Sequence, residues 1–514
     1  MSSIAQLVAG LESRNIILSL ADGQLRFRAP KDALGEDDRA VLRARRDALM
    51  EFLAAREAGR GLRSAAPQDG PLTPSVAQEM FYRFASGPSQ GKPVSLNIGM
   101  AGRLRGARAE DVAQAVRAAV ARHEALRTRI VRHDEPIAFA LNDAADFQVT
   151  MVDASDARDG DAAAQAVVAQ VFGDHIPVEA PWLFRATVVA LPGGDAAAVM
   201  AASHVIADAG TRNILLQEIQ DHVDAIAGRA VPQRPAAIGY NAWSLGERRF
   251  LDGEQGARLI GYWKRWYENQ PVMHAPSGAA LQWGTGTRIV NNFTVPRAVL
   301  DRVQTLADAH RATPFLVFLG IFSLAMARWS KMERFPVRIL GDRRSRLDLA
   351  GTVGLMLCAD PVSVDVPAGQ DFPALMRALL AEYEAAVTLR LPGVHFYAPQ
   401  CVRPGIEPIG FPNRIPAVFN YYAGGTVRER VERQSAAQES AAVASWPPQV
   451  TRLAPQSWPV RPSAPLFLHL VDMGDAMTAS LHVLADVVNQ ADEQAFMTIF
   501  FGLFDELLPG RDGP

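Results

Sequence analysis

AVMAASHVIADAGTRNILLQEI, Ala198 to Ile219, passes from an apolar run through one histidine, an aspartate four residues on and a glycine two beyond that, into a helical apolar pattern. "AAAVMAASHV" (Ala196 to Val205) reads as a buried strand. "NILLQEIQDHVDAIAG" (Asn213 to Gly228) reads as a helix, with Gly228 as its C-cap. A strand ending at His204 and a helix starting near Gly210 place an imidazole beside the unsatisfied N–H groups of a first helical turn. Such a histidine is either a base at the end of a strand or a satisfied polar residue in a turn. This segment does not distinguish the two.

The alternation of strand and helix extends in both directions. "VAQEMFYRFA" and "AEDVAQAVRAAVARHEAL" are helical and "LFRATVVAL" is β-rich. After Gly228 the pattern restarts, with "RIVNNFTVP" as strand, "AVLDRVQTLADAHR" as helix, Thr313-Pro314 opening an apolar helix and "FPVRIL" as strand. "LFLHLVDMGDAMTASLHVLAD" (Leu466 to Asp486) reads as a hairpin, followed by a closing helix. The fold class is therefore α/β (α+β), with two lobes of similar size spanning 72–235 and 236–514. The Ala-, Ser- and Pro-rich stretch between Ala423 and Pro465 is expected to be a surface excursion.

The chain has 514 residues and a net charge of −3, with 49% apolar and 21% charged residues. It can bury a large core, and its charge suggests neither nucleic acid nor an anionic membrane as partner. Two cysteines, Cys358 and Cys401, leave no disulfide framework and no thiolate zinc site. "MSSIAQLVAGLESR" has no basic n-region followed by a long apolar run, so a signal peptide is not expected and a cytoplasmic location is. "FLVFLGIFSLAMA" (Phe315 to Ala327) is too short to span a bilayer and reads as a buried helix.

Residues 1–60 read as a helix–hairpin–helix unit, and 61–71 as a Gly-, Ala-, Pro- and Arg-rich linker. Ile4, Leu7, Val8 and Leu11 make one helical stripe, and Leu42, Leu49, Phe52 and Leu53 make another on a helix from about Asp38. Asp22-Gly23 marks a two-residue hairpin turn. Its register sets Leu18, Leu20, Leu25 and Phe27 on one face and Ile17, Ser19, Arg26 and Arg28 on the other. The basic face suits capture of an acidic or apolar peptide. This unit, "ILSLADGQLRFRAPKDAL" with a helix on either side, resembles the tubulysin-type β-hairpin docking domains of nonribosomal peptide synthetases. The resemblance implies that the hairpin receives the tail of an upstream carrier protein.

"LTPSVAQEMFY" (72–82), "RHEALRTRI" (122–130), "SHVIADAG" (203–210), "YNAW" (240–243), "GTVGLMLCADPV" (351–362) and "FPNRIPAVFNYY" (411–422) follow in that order. Together they resemble the core motifs of nonribosomal peptide synthetase condensation domains, over residues 72–510. The resemblance implies two chloramphenicol-acetyltransferase-like lobes in a V-shaped pseudo-dimer. Phosphopantetheine arms enter a central tunnel and meet at the signature HHxxxDG. On that signature Ser203 stands at the first His, His204 at the second, Asp208 at the Asp and Ala209 at the Gly. The family needs the second His for turnover, and it is kept. Gly210 stands next to the altered glycine position, and Cys358 and Ala359 replace the usual Asn and Thr. Asp208 is expected to hold the loop through a salt bridge to Arg344 or, second, Arg343. Asn413 and Arg414 are expected at a cross-lobe contact. His395, His469 and His482 are read as structural, and Trp243, Trp263 and Trp266 as core.

The chemistry follows from the imidazole. His204 can take a proton from an attacking amine or hydroxyl, or equally act by positioning and by stabilising charge in the tetrahedral intermediate, while the N–H of Ala209 or Gly210 stabilises the oxyanion. Ser203 is not expected to form an acyl-enzyme, because adjacent strand residues point to opposite faces. The expectation is a monomeric stand-alone condensation enzyme. It takes an acyl chain from an acyl or peptidyl carrier protein and passes it to a small-molecule acceptor or a second carrier, forming an ester or amide and releasing the chain. No cofactor or metal is bound permanently. The docking unit would recruit the carrier in trans, because no adenylation or carrier segment follows. Two other readings are a non-catalytic recruitment platform, which the altered signature permits, and an acyl-CoA-dependent acyltransferase, which would not need a docking unit.

Overall fold

Ser3 caps the first helix, α1 (Ile4–Glu12), by accepting the Gln6 N–H, and the Gln6 side chain returns the bond to Ser3 N–H. The computed structural model describes residues 3–508 apart from 22–23, 32, 66–71, 87–96, 135, 233–237, 368, 370, 391–414, 424–455 and 473–475. Strands β1 (Ile17–Ala21) and β2 (Gln24–Arg28) pair antiparallel, with Leu18 opposite Phe27, Leu20 opposite Leu25, Ile17 opposite Arg28 and Ser19 opposite Arg26. Ala21 faces Gln24 at the end of the pair, and Asp22 and Gly23 lie outside the described residues. The expected single second helix is instead two, α2 (Glu36–Ala44) and α3 (Arg46–Gly59). They break at Arg45, whose φ of −113° and ψ of 16° leave the helical region. The break separates an exposed acidic helix that buries only Leu42 from one that buries Leu49, Phe52, Leu53, Ala55 and Ala58.

The first lobe follows as α4 (Val76–Ser86), β3 (Asn97–Leu104), α5 (Ala109–Arg122), β4 (Thr128–Arg132), β5 (Ala138–Leu141), β6 (Thr150–Asp153), α6 (Gly160–Gly173), β7 (Phe184–Leu191), β8 (Asp195–Ser203) and α7 (Ala209–Ile226). Its sheet runs β3-β8-β7-β6, antiparallel except for the β6–β7 pair. β4 and β5 form a separate ribbon. The alanine-rich β8 is buried along its length, and its small side chains let α5 pack closely over the sheet. Helices α8 (Tyr240–Leu251) and α9 (Glu254–Glu268) come next.

The second lobe is built from β9 (Gly284–Pro296), α10 (Arg297–Ala309), α11 (Pro314–Ser330), β10 (Arg334–Asp342), β11 (Leu357–Asp365), α12 (Phe372–Thr388), β12 (Ala417–Ala423), β13 (Gln456–Ser463), β14 (Leu466–Asp472), β15 (Ala476–Leu484) and α13 (Gln490–Leu507). Its seven strands run β11-β10-β12-β14-β15-β9-β13. β12 is parallel to both its neighbours, and the other pairs are antiparallel. Thr313 caps α11, Pro314 opens it, and its side chains are buried almost all round. Among the described residues no single helix is long and apolar enough to cross a membrane.

Further sequence expectations need correction. Residues 456–463, expected within a surface excursion, pair with β9 as an edge strand; two prolines mask the strand pattern, and an edge position tolerates them. The rest of that stretch, 424–455, lies outside the described residues. The lobes are unequal, with a four-stranded sheet against a seven-stranded one. Helices α8 and α9, expected in the second lobe, bury Tyr240, Trp243, Leu259, Trp263 and Tyr267 in the core of the first. The front unit is not separate either. Val8, Leu11, Leu49 and Phe52 belong to that same core, α1 packs on α12 and α3 on α9. The expected linker is held at its start, where Leu62 is buried and the Ala65 N–H donates to the Ala242 carbonyl (2.8 Å).

Candidate active site

His204 is the first residue after β8, and α7 begins five residues later. Its Nδ1 lies 2.7 Å from the Ala207 carbonyl oxygen. A carbonyl only accepts, so Nδ1 carries the proton and Nε2 holds the lone pair of the neutral ring. The ring lies under Phe81 of α4, with centroids 4.2 Å apart and planes inclined by 35°. Burial pulls the imidazole below its ordinary value of 6.5, against the opposing charge of Asp208 and the bond to Ala207. The ring is therefore neutral at pH 7, with Nε2 able to accept a proton.

Asp208 caps α7: its Oδ1 accepts the Thr211 N–H at 2.9 Å. Arg344 grips the same carboxylate with both arms, Nη2 to Oδ1 at 3.0 Å and Nη1 to Oδ2 at 3.1 Å. The Met356 N–H also donates to Oδ2, at 2.7 Å. Burial alone would raise this carboxyl; the Arg344 charge and the donated hydrogen bonds outweigh it and hold Asp208 below the usual range. Arg344 spends its other donors on the carbonyls of Thr352 (2.7 Å) and Gly354 (2.8 Å), on Thr211 Oγ1 (3.2 Å) and on Asp342. The turn carrying His204 is thus tied from the first lobe to the segment between β10 and β11.

The other motifs converge on this latch. Tyr240 donates its hydroxyl to the Leu355 carbonyl (2.9 Å) and lies 2.8 Å from Ser75 Oγ. Gly354 has φ +150°, and a Cβ there would run into the Tyr240 ring, so this position requires glycine. Glu124, of the "RHEALRTRI" motif, accepts from the Asn241 side-chain amide at 3.0 Å. Its neighbour His123 lies 2.7 Å from Glu218 of α7. Tyr422 donates to Asn213 at 2.7 Å and stacks under the Arg212 guanidinium, 4.8 Å from the ring centroid. Phe81, Thr211, Thr352 and Tyr422 were not singled out from the sequence. Phe81, Thr352 and Tyr422 stand inside matched motifs, which was the available signal.

The remaining expected site residues are placed as follows. Arg344 is the arginine that pairs with Asp208, and Arg343 stacks over Trp243 at 5.5 Å. Ser203 is buried, its hydroxyl 3.4 Å from the Val205 N–H. Ala209 and Gly210 are the first residues of α7, and among the described residues no group accepts from their N–H. A Cβ on Gly210 would strike the Arg344–Asp342 pair, so this glycine makes room for the latch. Ile17, Ser19, Arg26 and Arg28 are exposed on the front hairpin. Cys358 is buried and its thiol is pushed up to about 12, chiefly by desolvation. Asn413, Arg414, His395 and Cys401 lie outside the described residues. Among the described residues no cluster of three or more His, Cys, Asp or Glu side chains is arranged to hold a metal ion.

Residues 77–388 match the family described as Condensation domain, and residues 4–54 match the TubC N-terminal docking domain. A solved structure described as "Molecular basis for condensation domain-mediated chain release from the enacyloxin polyketide synthase" is 32% identical, with a TM-score of 0.87 over 99% of this chain and 97% of that one. Bacitracin synthase 2 of Bacillus licheniformis is 23% identical over 69% of this chain. Phosphinothricin tripeptide synthetase PhsC of Streptomyces viridochromogenes is 26% identical over 66%. The matches span 13% and 32% of those two relatives.

Proposed function

The chain belongs to the condensation-domain family of acyltransferases, and on that premise we propose that it takes an acyl chain from the phosphopantetheine thioester of a carrier protein and releases it onto a small soluble acceptor. The observation that carries the reading is the His204 ring: neutral, locked through Nδ1–H to Ala207, and held by a turn that Arg344 anchors across the lobes. The acceptor O–H or N–H loses its proton to Nε2 as its heteroatom attacks the thioester carbon. The C–S bond then breaks, and the proton goes on to the departing pantetheine sulfur. The N–H groups of Ala209 and Gly210 are suited to the oxyanion of the tetrahedral intermediate. No covalent enzyme intermediate is needed, and the buried Cys358 thiol stays protonated. Resemblance to the chain-release structure supports release, and the docking-domain match supports delivery by a carrier.

The test uses the exposed face of the hairpin. Deleting residues 1–60 would open the shared core, so charge reversal is the better probe. The double variant Arg26→Glu/Arg28→Glu should raise KM for a carrier-bound acyl donor by tenfold or more. It should leave KM for the same acyl group on free pantetheine unchanged. Equal effects on both donors would contradict carrier delivery through this face.

A further inference from the structure

The seven-stranded sheet has two faces of different chemistry. The face turned to α10–α13 is apolar, with Phe293, Ile339, Phe419, Leu468 and Leu481 in one core. The opposite face carries a polar row in register across four neighbouring strands: Asn420 on β12, His469 on β14, Ser480 on β15 and Asn292 on β9. The next row holds Phe467 opposite His482. These side chains are neither solvated surface nor sealed core; apart from the buried Ser480 they are half-buried. Asn420 and Tyr422 share this face, two residues or about 7 Å apart along β12. Tyr422 reaches Asn213 and the Ala209 carbonyl at the start of α7, so the row leads to the His204 turn.

We propose that this row is the binding wall for a small hydroxylic acceptor, which makes the product of transfer an ester. The inference rests on the acyl-transfer reading above and names its acceptor class. Asn420 donates its amide N–H to His469 Nδ1 at 2.7 Å, which leaves His469 Nε2 as an N–H donor. Ser480 Oγ and His482 Nε2 lie 2.9 Å apart, and His482 Nδ1 is buried with no hydrogen-bond partner among the described residues. Burial lowers both histidines; for His482, burial first, then the charges of Arg288 and His469, push it down to about 3. The wall is thus uncharged and offers both donors and acceptors, with the Arg288 cation beside it. Two carboxylates border this face. Asp342, at the end of β10, is held by Arg344, and Asp486, near the start of β9, accepts the Thr287 N–H at 2.7 Å. Neither stands in the row, so among the described residues an ammonium group meets no anion there. An alcohol matches the wall, because its oxygen accepts from N–H and its O–H donates to a neutral ring nitrogen or amide oxygen. Its oxygen then bonds to the acyl carbon, its proton passes to His204 Nε2, and the pantetheine thiol leaves.

The test takes hexanoyl-pantetheine as donor with propane-1,3-diol or 1,3-diaminopropane as acceptor probe. It compares wild type, His204→Ala, Asn420→Ala, His469→Ala and His469→Gln, each checked by circular dichroism. Wild type is expected to form the ester in preference to the amide. Asn420→Ala and His469→Ala should raise KM for the diol about five- to tenfold without changing KM for the donor. His469→Gln, whose amide N–H replaces Nε2–H, should recover part of the loss. An unchanged diol KM in both alanine variants, or preference for the diamine, would overturn the inference and leave acyl transfer standing. No His204-dependent transfer to either probe would overturn the acyl-transfer reading and this inference with it.

Discussion

Arg344 and Asp208 meet through two parallel contacts, Nη2 to Oδ1 at 3.0 Å and Nη1 to Oδ2 at 3.1 Å, in a pair almost wholly buried between the lobes. Each partner holds a different part of the fold, Asp208 the start of α7 and Arg344 the segment joining the antiparallel β10 and β11. The pair is therefore a positioning device for His204, four residues before Asp208.

Removing one member leaves a buried charge alone, at a cost of about 3–5 kcal/mol. Asp208→Asn and Arg344→Lys should both melt several degrees below wild type and lose activity together. Arg344→Lys keeps the charge but loses the two-armed grip. An Asp208→Asn variant that melts like wild type yet is inactive would assign Asp208 a direct chemical role.

Gly210→Ala places a methyl group against the Arg344–Asp342 pair and should cut kcat by tenfold or more. Ala209→Gly restores the usual family residue at a position where alanine is already accommodated, and should change activity less than threefold. Steady-state kinetics of the two variants checks this. A larger loss from Ala209→Gly than from Gly210→Ala would place the steric constraint at the wrong residue.

Burial lowers His204, so its base form persists to a pH below the ordinary histidine value of 6.5. The acid limb of kcat/KM should lie below that pH and should move up towards it in Phe81→Ala, which opens the ring to water. A limb at or above 6.5 in wild type would mean that the ring is solvated or that another group titrates.

Glu382 of α12 receives the Ser3 hydroxyl and joins α1 to the second lobe. Burial pushes its carboxyl up to about 7, partly opposed by the bond from Ser3. The folded value is raised, so the stabilisation is complete below the unfolded value of 4.5 and is lost as pH rises through about 7. Glu382→Gln should remove this dependence, raising the melting temperature at pH 8 relative to wild type but not at pH 5. Parallel melting curves across that range would refute it.

Much of this was legible in sequence because local chemistry wrote it. The strand–turn–helix around His204 follows from an alanine-rich apolar run, a glycine after it and the helical period beyond. The hairpin register follows from Asp22-Gly23. Arg344 as the first candidate for Asp208 came from family resemblance and not from spacing, since 136 residues separate them. What stayed hidden depends on tertiary packing. Nothing local shows that α8 and α9 join the first core, that α3 rests on α9, or that Pro459 and Pro462 sit on an edge strand. The stack of Phe81 on His204 was equally silent, because a phenylalanine on an amphipathic helix looks like any core residue. Nor does the sequence show that Gly210 makes room for the Arg344–Asp342 pair, which comes from a segment more than 130 residues away.

The central claim is that His204 drives transfer of a carrier-bound acyl chain to a soluble acceptor. Intact-protein mass spectrometry of an acylated partner carrier protein, incubated with enzyme and a pool of small alcohols and amines, tests it most directly. The account predicts acceptor-dependent loss of the acyl mass with wild type, none with His204→Ala, and a released ester or amide of matching mass. Equal inertness of both proteins, with carrier binding intact, would contradict it and leave His204 a structural residue in a recruitment platform.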